Sequence, residues 1–267
     1  MRARLALPPG PFILIKEDAM RTANPALNAK TFTALPRIAD STGTMTIQGT
    51  VNKTLLMLVL LLLPAAWVWR QYFATGTPQA IMPWLYVGIF GGLIVALVTI
   101  FKRQWSPVTA PLYSVLEGLA IGGISAFFEA QFPGIVIQAV ALTFGTLLCL
   151  LLVYKSRIIK VTANFRLGVV AATGGIAIIY FLTIVLGFFG IRMPYIHESG
   201  VIGIGFSVFV VTIAALNLVL DFDFIENGTA SGAPKFMEWY AAFGLMVTLI
   251  WLYLEILRLL AKISSRR

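Results

Sequence analysis

Seven apolar runs, each near the length that crosses a bilayer, constrain this chain more than anything else in it. They cover 54–69, 81–101, 109–128, 134–154, 167–189, 201–222 and 239–260. A hydrocarbon core about 30 Å thick takes about 20 helical residues. Strands of a membrane barrel would alternate apolar and polar side chains with a period of two. These runs do not alternate, so the spacing predicts an all-α, polytopic protein with seven transmembrane helices. The run 54–69 is short, which predicts an upright helix or a locally thinned bilayer. No internal repeat is visible at the residue level.

Composition supports the same class. Hydrophobic residues make up 59% and charged residues 12% of the 267, against about 45–50% and 25% in soluble domains. One core of this size could not enclose that much apolar surface. Both a soluble enzyme and a disordered chain are disfavoured. The single cysteine, Cys149, excludes a disulfide framework and a thiolate metal cluster. The net charge of +9 resembles a nucleic-acid signal, but the basic residues sit in tails and short loops, where topology alone would put them. The expected partner is the lipid bilayer, with membrane proteins as further partners and no nucleic acid.

The chain divides into a basic arm (1–53), a seven-helix transmembrane domain (54–262) and a short basic tail (263–267). The arm carries Arg2, Arg4, Lys16, Arg21, Lys30, Arg37 and Lys53. Its apolar stretch at 5–15 is broken by Pro8, Pro9 and Pro11, so it does not read as a signal peptide. The arm is either a disordered tail or a tail held on an anionic leaflet, at ~1 kcal/mol per basic residue near the surface. With the N-terminus inside, 14 Lys/Arg fall inside and 6 outside, which predicts a cytoplasmic N-terminus and an outward C-terminus. The discordant group is Arg258, Lys262, Arg266 and Arg267 at the C-terminal end. A last segment that crosses only halfway would bring them inside.

Signatures of catalysis are missing. The one histidine, His197, stands beside Glu198 and cannot build a paired-histidine zinc site or readily a Ser-His-Asp site. No enzyme activity and no cofactor are expected. Gly88 with Gly92, and Gly118 with Gly122, form small-xxx-small pairs that let membrane helices approach closely.

The informative residues are acids within the runs: Glu117, Asp221, Asp223 and Glu255. An ionised group at the bilayer centre costs ~2.5–3.5 kcal/mol or more. Helical spacing puts Gly203, Ser207, Val210, Ala214, Asn217 and Asp221 on one small, polar stripe. A second stripe holds Ala241, Gly244, Thr248, Trp251, Glu255 and Arg258. Both should face inward, giving a polar seam lined by helix seven. Several roles stay open. Asp221 and Asp223 could be solvated at the headgroups near a turn at 225–228. Glu255 could serve only to neutralise Arg258. Glu117 has no local cation and asks for a distant partner, a water path or a proton.

The segments LNLVLDFDFIE (216–226), GAPK (232–235), MEWYAAFGL (237–245) and WLYLEILRLL (251–260) closely resemble the bacterial branch of the Bax-inhibitor-like family. So do SPVTAPLY (106–113) with Glu117-Gly118, and MTIQGTVNK (45–53). The resemblance runs from about residue 20 to the end and leaves Met1 and Met20 both open as the start. It implies seven helices with the last one central, wrapped by the other six, in a bacterial inner membrane. It further implies a pH-sensitive leak for calcium, which would be the transported ion. In relatives, aspartates on helices six and seven share protons and gate the path, because close carboxylates cannot easily both ionise. Asp221 matches the first. Local pattern assigns Glu255 to the second, whereas a gapless match anchored on Arg258 assigns Thr248. The acid that relatives carry in helix two is missing here, while Glu117 stands in helix three. The candidate ion or proton pathway is thus Asp221, Asp223, Glu255, Glu117, Arg258 and Asn217. The alternative is a non-conducting stress-regulatory or protease-interacting membrane protein. A small secondary transporter is disfavoured, since no inverted repeat appears.

Depth can also be read from the sequence. A helix-six to helix-seven turn centred near Ala230 would separate the levels of Asp221 and Glu255 by roughly 24 Å. The expectation is two polar levels. Asp221 with Asp223 or Glu238 would form the inner one. Glu255 and Arg258, met by Glu129 or Glu117, would form the outer one.

Overall fold

The computed structural model describes residues 43–190 and 200–266. The arm before Gly43, His197, Glu198 and Arg192 lie outside the described residues. Among the described residues the fold is all-helical. Seven helices are long and apolar enough to cross a membrane: α1 (Ile47–Thr75), α2 (Met82–Phe101), α3 (Ser106–Gln131), α4 (Ile135–Lys155), α5 (Ala163–Phe188), α6 (Val201–Ala230) and α7 (Met237–Ser264).

Two bounds depart from the sequence expectation. The first helix is not short but 29 residues long. Its polar end turns, with Gln48, Asn52 and Lys53 at one end and Arg70 and Gln71 at the other, stay helical beyond the apolar run. Thr46 starts it, its hydroxyl accepting from the Gly49 N–H at 3.0 Å. Gly76 ends it at φ +65°, a left-handed conformation that glycine adopts without strain. Residues 47–53, read as arm, therefore belong to α1. Likewise, 225–228 is not a turn. α6 continues to Ala230, with the Asn227 side chain donating to the Asp223 carbonyl at 2.8 Å. Chain reversal falls at 231–236.

α3 lies against both α1 and α2. The two glycine pairs mark these contacts. A Cβ at Gly122 would stand 2.7 Å from Ala65 Cα, and one at Gly118 2.6 Å from Pro64 Cγ, both on α1. One at Gly88 would stand 2.7 Å from the Leu116 carbonyl of α3. Bare backbone is what permits these approaches.

α7 is the most buried of the seven helices. It packs on α1, α3, α4 and α6, and Val95, Ala96 and Ile100 of α2 join its core around Tyr240 and Phe243. Leu63, Phe90, Ile94, Phe181 and Phe188 point outward, as surfaces facing lipid do. At one end the chain entering α1 is strapped to the α6–α7 turn. The Met45 N–H donates to the Ala233 carbonyl at 2.7 Å, and the Lys235 N–H to the Gly43 carbonyl at 2.8 Å.

Candidate functional site

Both stripes read from the sequence turn inward. Gly203, Ser207, Val210, Ala214, Asn217 and Asp221 are buried on α6, and Ala241, Gly244, Thr248 and Glu255 on α7, while Trp251 and Arg258, the other two members of the α7 stripe, are only partly buried. Asp221 is 0% exposed and Glu255 1%, so Asp221 is not solvated at a headgroup level. Asp223 is half-buried.

The polar groups form a ladder along the bundle. At the base of α7, the buried Glu238 carboxylate accepts from the Thr46 N–H at 2.9 Å, the Thr46 hydroxyl at 2.8 Å, Lys235 at 2.8 Å and also Lys53. Farther along, Arg166 of α5 pairs with Asp223 at 2.6 Å. The Asn217 amide donates to the Thr173 hydroxyl at 2.8 Å and to the Ile213 carbonyl at 2.9 Å. Beyond it, the Tyr180 hydroxyl donates to the Glu255 carboxylate at 3.0 Å. Arg258 donates to Glu255 and to Tyr180, each at 2.8 Å. Last comes Lys262, which donates to the Ser207 hydroxyl at 2.8 Å and the Gly203 carbonyl at 3.0 Å. Glu238, Asp223 and Glu255 therefore each have a cation in hydrogen-bonding contact, which offsets the cost of placing a carboxylate in a low-dielectric interior.

The depth relation needs correcting. Because α6 runs to Ala230 and α7 begins at Met237, the turn is centred between Ala233 and Pro234. Lys262 meeting Gly203 and Ser207 gives the same register. The residue level with Asp221 is then near Met246. At 1.5 Å per residue, Glu255 lies roughly 14 Å beyond that level rather than 24 Å, and Thr248 only about 3 Å beyond it. Two levels remain, but Thr248 is nearly level with Asp221. Its hydroxyl bonds within its own helix, to the Gly244 carbonyl at 3.3 Å.

The outer level also has different members from those expected. Glu129 closes the start of α4, accepting from the Gly134 and Val136 N–H groups at 2.7 and 3.1 Å. Glu117 sits at the α2–α3 contact, its Oε1 2.9 Å from where a Gly92 Cβ would stand. Neither joins Glu255. The inner expectation also changes, since Glu238 belongs to the base of α7.

Sequence reasoning missed Arg166, Tyr180, Thr173 and Lys262 as members of the seam. Arg166 and Lys262 counted only as loop and tail charges. Thr162 caps α5, accepting from the Phe165 N–H, and that cap signal would have put Arg166 inside the first turn. Tyr180 offered only one polar atom in an apolar run. Among the described residues, no three or more His, Cys, Asp or Glu side chains gather as a metal site.

The family model described as Bax inhibitor 1 like matches residues 17–265. No curated protein matches the chain.

Proposed function

The chain belongs to the Bax inhibitor 1 like family, and on that premise we propose that it is a proton-modulated cation leak, with Ca²⁺ the leading candidate ion. The observation that carries the proposal is Asp221, a fully buried carboxyl on the inward stripe of α6. An acid there is expensive to keep in a membrane protein and marks an ion or proton path by default. The α5–α6–α7 ladder would supply the route. The Asp223–Arg166 and Glu255–Arg258 pairs would hold it closed, since a passing cation has to displace a bound guanidinium. The site would lie in a bacterial inner membrane with the N-terminus cytoplasmic, and the protein would be neither an enzyme nor cofactor-dependent.

One observation favours a second reading. Thr248 occupies the level at which a second carboxyl could share a proton with Asp221, and threonine does not titrate in this range. A non-conducting membrane protein that engages a stress-regulatory or protease partner would have this feature. Reconstitution into liposomes loaded with a calcium indicator tests both. Under the leak reading, influx varies with pH and Asp221→Asn alters that dependence at nearly unchanged volume. Influx equal to protein-free liposomes at every pH rejects it in favour of the second reading.

A further inference from the structure

A cavity of about 420 Å³ lies away from the polar seam, walled by α1, α3, α4 and α7. Its wall includes Leu62, Ala66, Ile121, Val140, Phe144 and Leu249. The hydroxyls in that wall are already used. Ser125 and Tyr253 bond each other at 2.7 Å, and Thr143 donates to the Ala139 carbonyl at 2.7 Å. The wall therefore presents hydrocarbon, which suits neither an ion nor a polar solute and stays dry when empty. Leu62 and Ala66 of α1 and Phe144 of α4 are both wall residues and exposed, so the mouth lies between α1 and α4. At that depth the surrounding medium is lipid acyl chain.

One helical turn past the mouth residue Ala66, α1 carries a charge. Four-residue steps carry the Leu62–Ala66 stripe on to Arg70, which is exposed. Trp67, Trp69 and Tyr72 lie within three residues of Arg70 in α1, and Trp67 meets Trp84 of α2 edge-on at 5.0 Å. Such an aromatic belt marks the headgroup level. We propose that this cavity is a phospholipid site, taking one acyl chain between α1 and α4 while Arg70 holds an anionic phosphate. Arginine matches phosphate geometry through paired N–H donors.

The test uses the full chain in bilayers doped with phosphatidylglycerol carrying a photoreactive diazirine in one acyl chain, with adducts mapped by mass spectrometry. Adducts are expected on Leu249 and Tyr253, which are buried and which lipid at the outer surface cannot touch. Excess unlabelled phosphatidylglycerol should suppress them. Ala66→Trp, at the exposed mouth, should lower them several-fold and leave labelling of outward residues such as Phe90 and Phe181 unchanged. Arg70→Gln should erase the preference for phosphatidylglycerol over a phosphatidylcholine probe of the same chain. Adducts confined to outward faces, or α7 labelling indifferent to Ala66→Trp, would overturn the site. Equal labelling by both probes in the unmodified chain would overturn the role of Arg70.

Discussion

Lys262, near the end of α7, donates to the backbone carbonyl of Gly203, near the start of α6, across 3.0 Å. A lysine only 7% exposed within a helical bundle fixes how far the two helices have slid past each other, because its ammonium must keep its acceptors. That register places Thr248, and not Glu255, beside the depth of Asp221.

A crosslinking experiment follows from the register. In a background with Cys149, which is exposed, replaced by serine, Asp221→Cys with Thr248→Cys should join efficiently through a short thiol crosslinker. Asp221→Cys with Glu255→Cys should not, being separated by roughly 14 Å along the axis. The reverse ranking on a denaturing gel would restore contact between the two acids and sink the register.

Asp223 and Arg166 should behave as a unit. Arg166 is 4% exposed and its guanidinium lies 2.6 Å from the Asp223 carboxylate. Asp223→Asn should lower stability by about 3 kcal/mol, because it takes the carboxylate from a buried cation. Adding Arg166→Met should recover most of the loss. Thermal unfolding in detergent of the parent, Asp223→Asn, Arg166→Met and the double variant measures the coupling, and additive losses would mean the pair contributes nothing as a pair.

The glycines separate into two classes by what surrounds them. Gly122→Ala forces a methyl into the α1 backbone at Ala65 and should destabilise the bundle. Gly145→Ala, in α4 with nothing within 4 Å of its Cβ, should be neutral or stabilise by up to about 1 kcal/mol through helix propensity. Thermal unfolding of both variants checks the contrast, and equal effects would contradict the close α1–α3 approach.

Topology is open to a direct reporter test. The 14-to-6 division of basic residues predicts an inside N-terminus and an outside C-terminus. A C-terminal fusion that fluoresces only in the cytoplasm should stay dark. A bright, intact fusion product would refute the orientation.

Helix number and the inward stripes were legible in the sequence because both depend on local periodicity. Gly203 through Asp221 and Ala241 through Glu255 follow it over whole helices. The Gly118–Gly122 contact was legible for the same reason, as small side chains have one main use in a membrane. Helix ends were less legible. Gln48, Asn52, Asp223 and Glu226 are polar, and hydropathy cannot distinguish a helical turn at the interface from a loop. That error displaced the α6–α7 turn and with it the separation between Asp221 and Glu255. The partners of the buried acids were least legible. Glu255–Arg258 is three residues apart in one helix and can be read directly, but Arg166 to Asp223 and Tyr180 to Glu255 join separate helices, and one sequence does not encode which helices touch.

The strap between Gly43 and Lys235 joins the backbone entering α1 to the backbone that leads into α7. Its α7 anchor stands three residues before Glu238, and Glu238 in turn accepts from Thr46 at the start of α1. The feet of the first helix and of the central helix are thus pinned together, and a displacement of one is passed to the other as through a hinge pin.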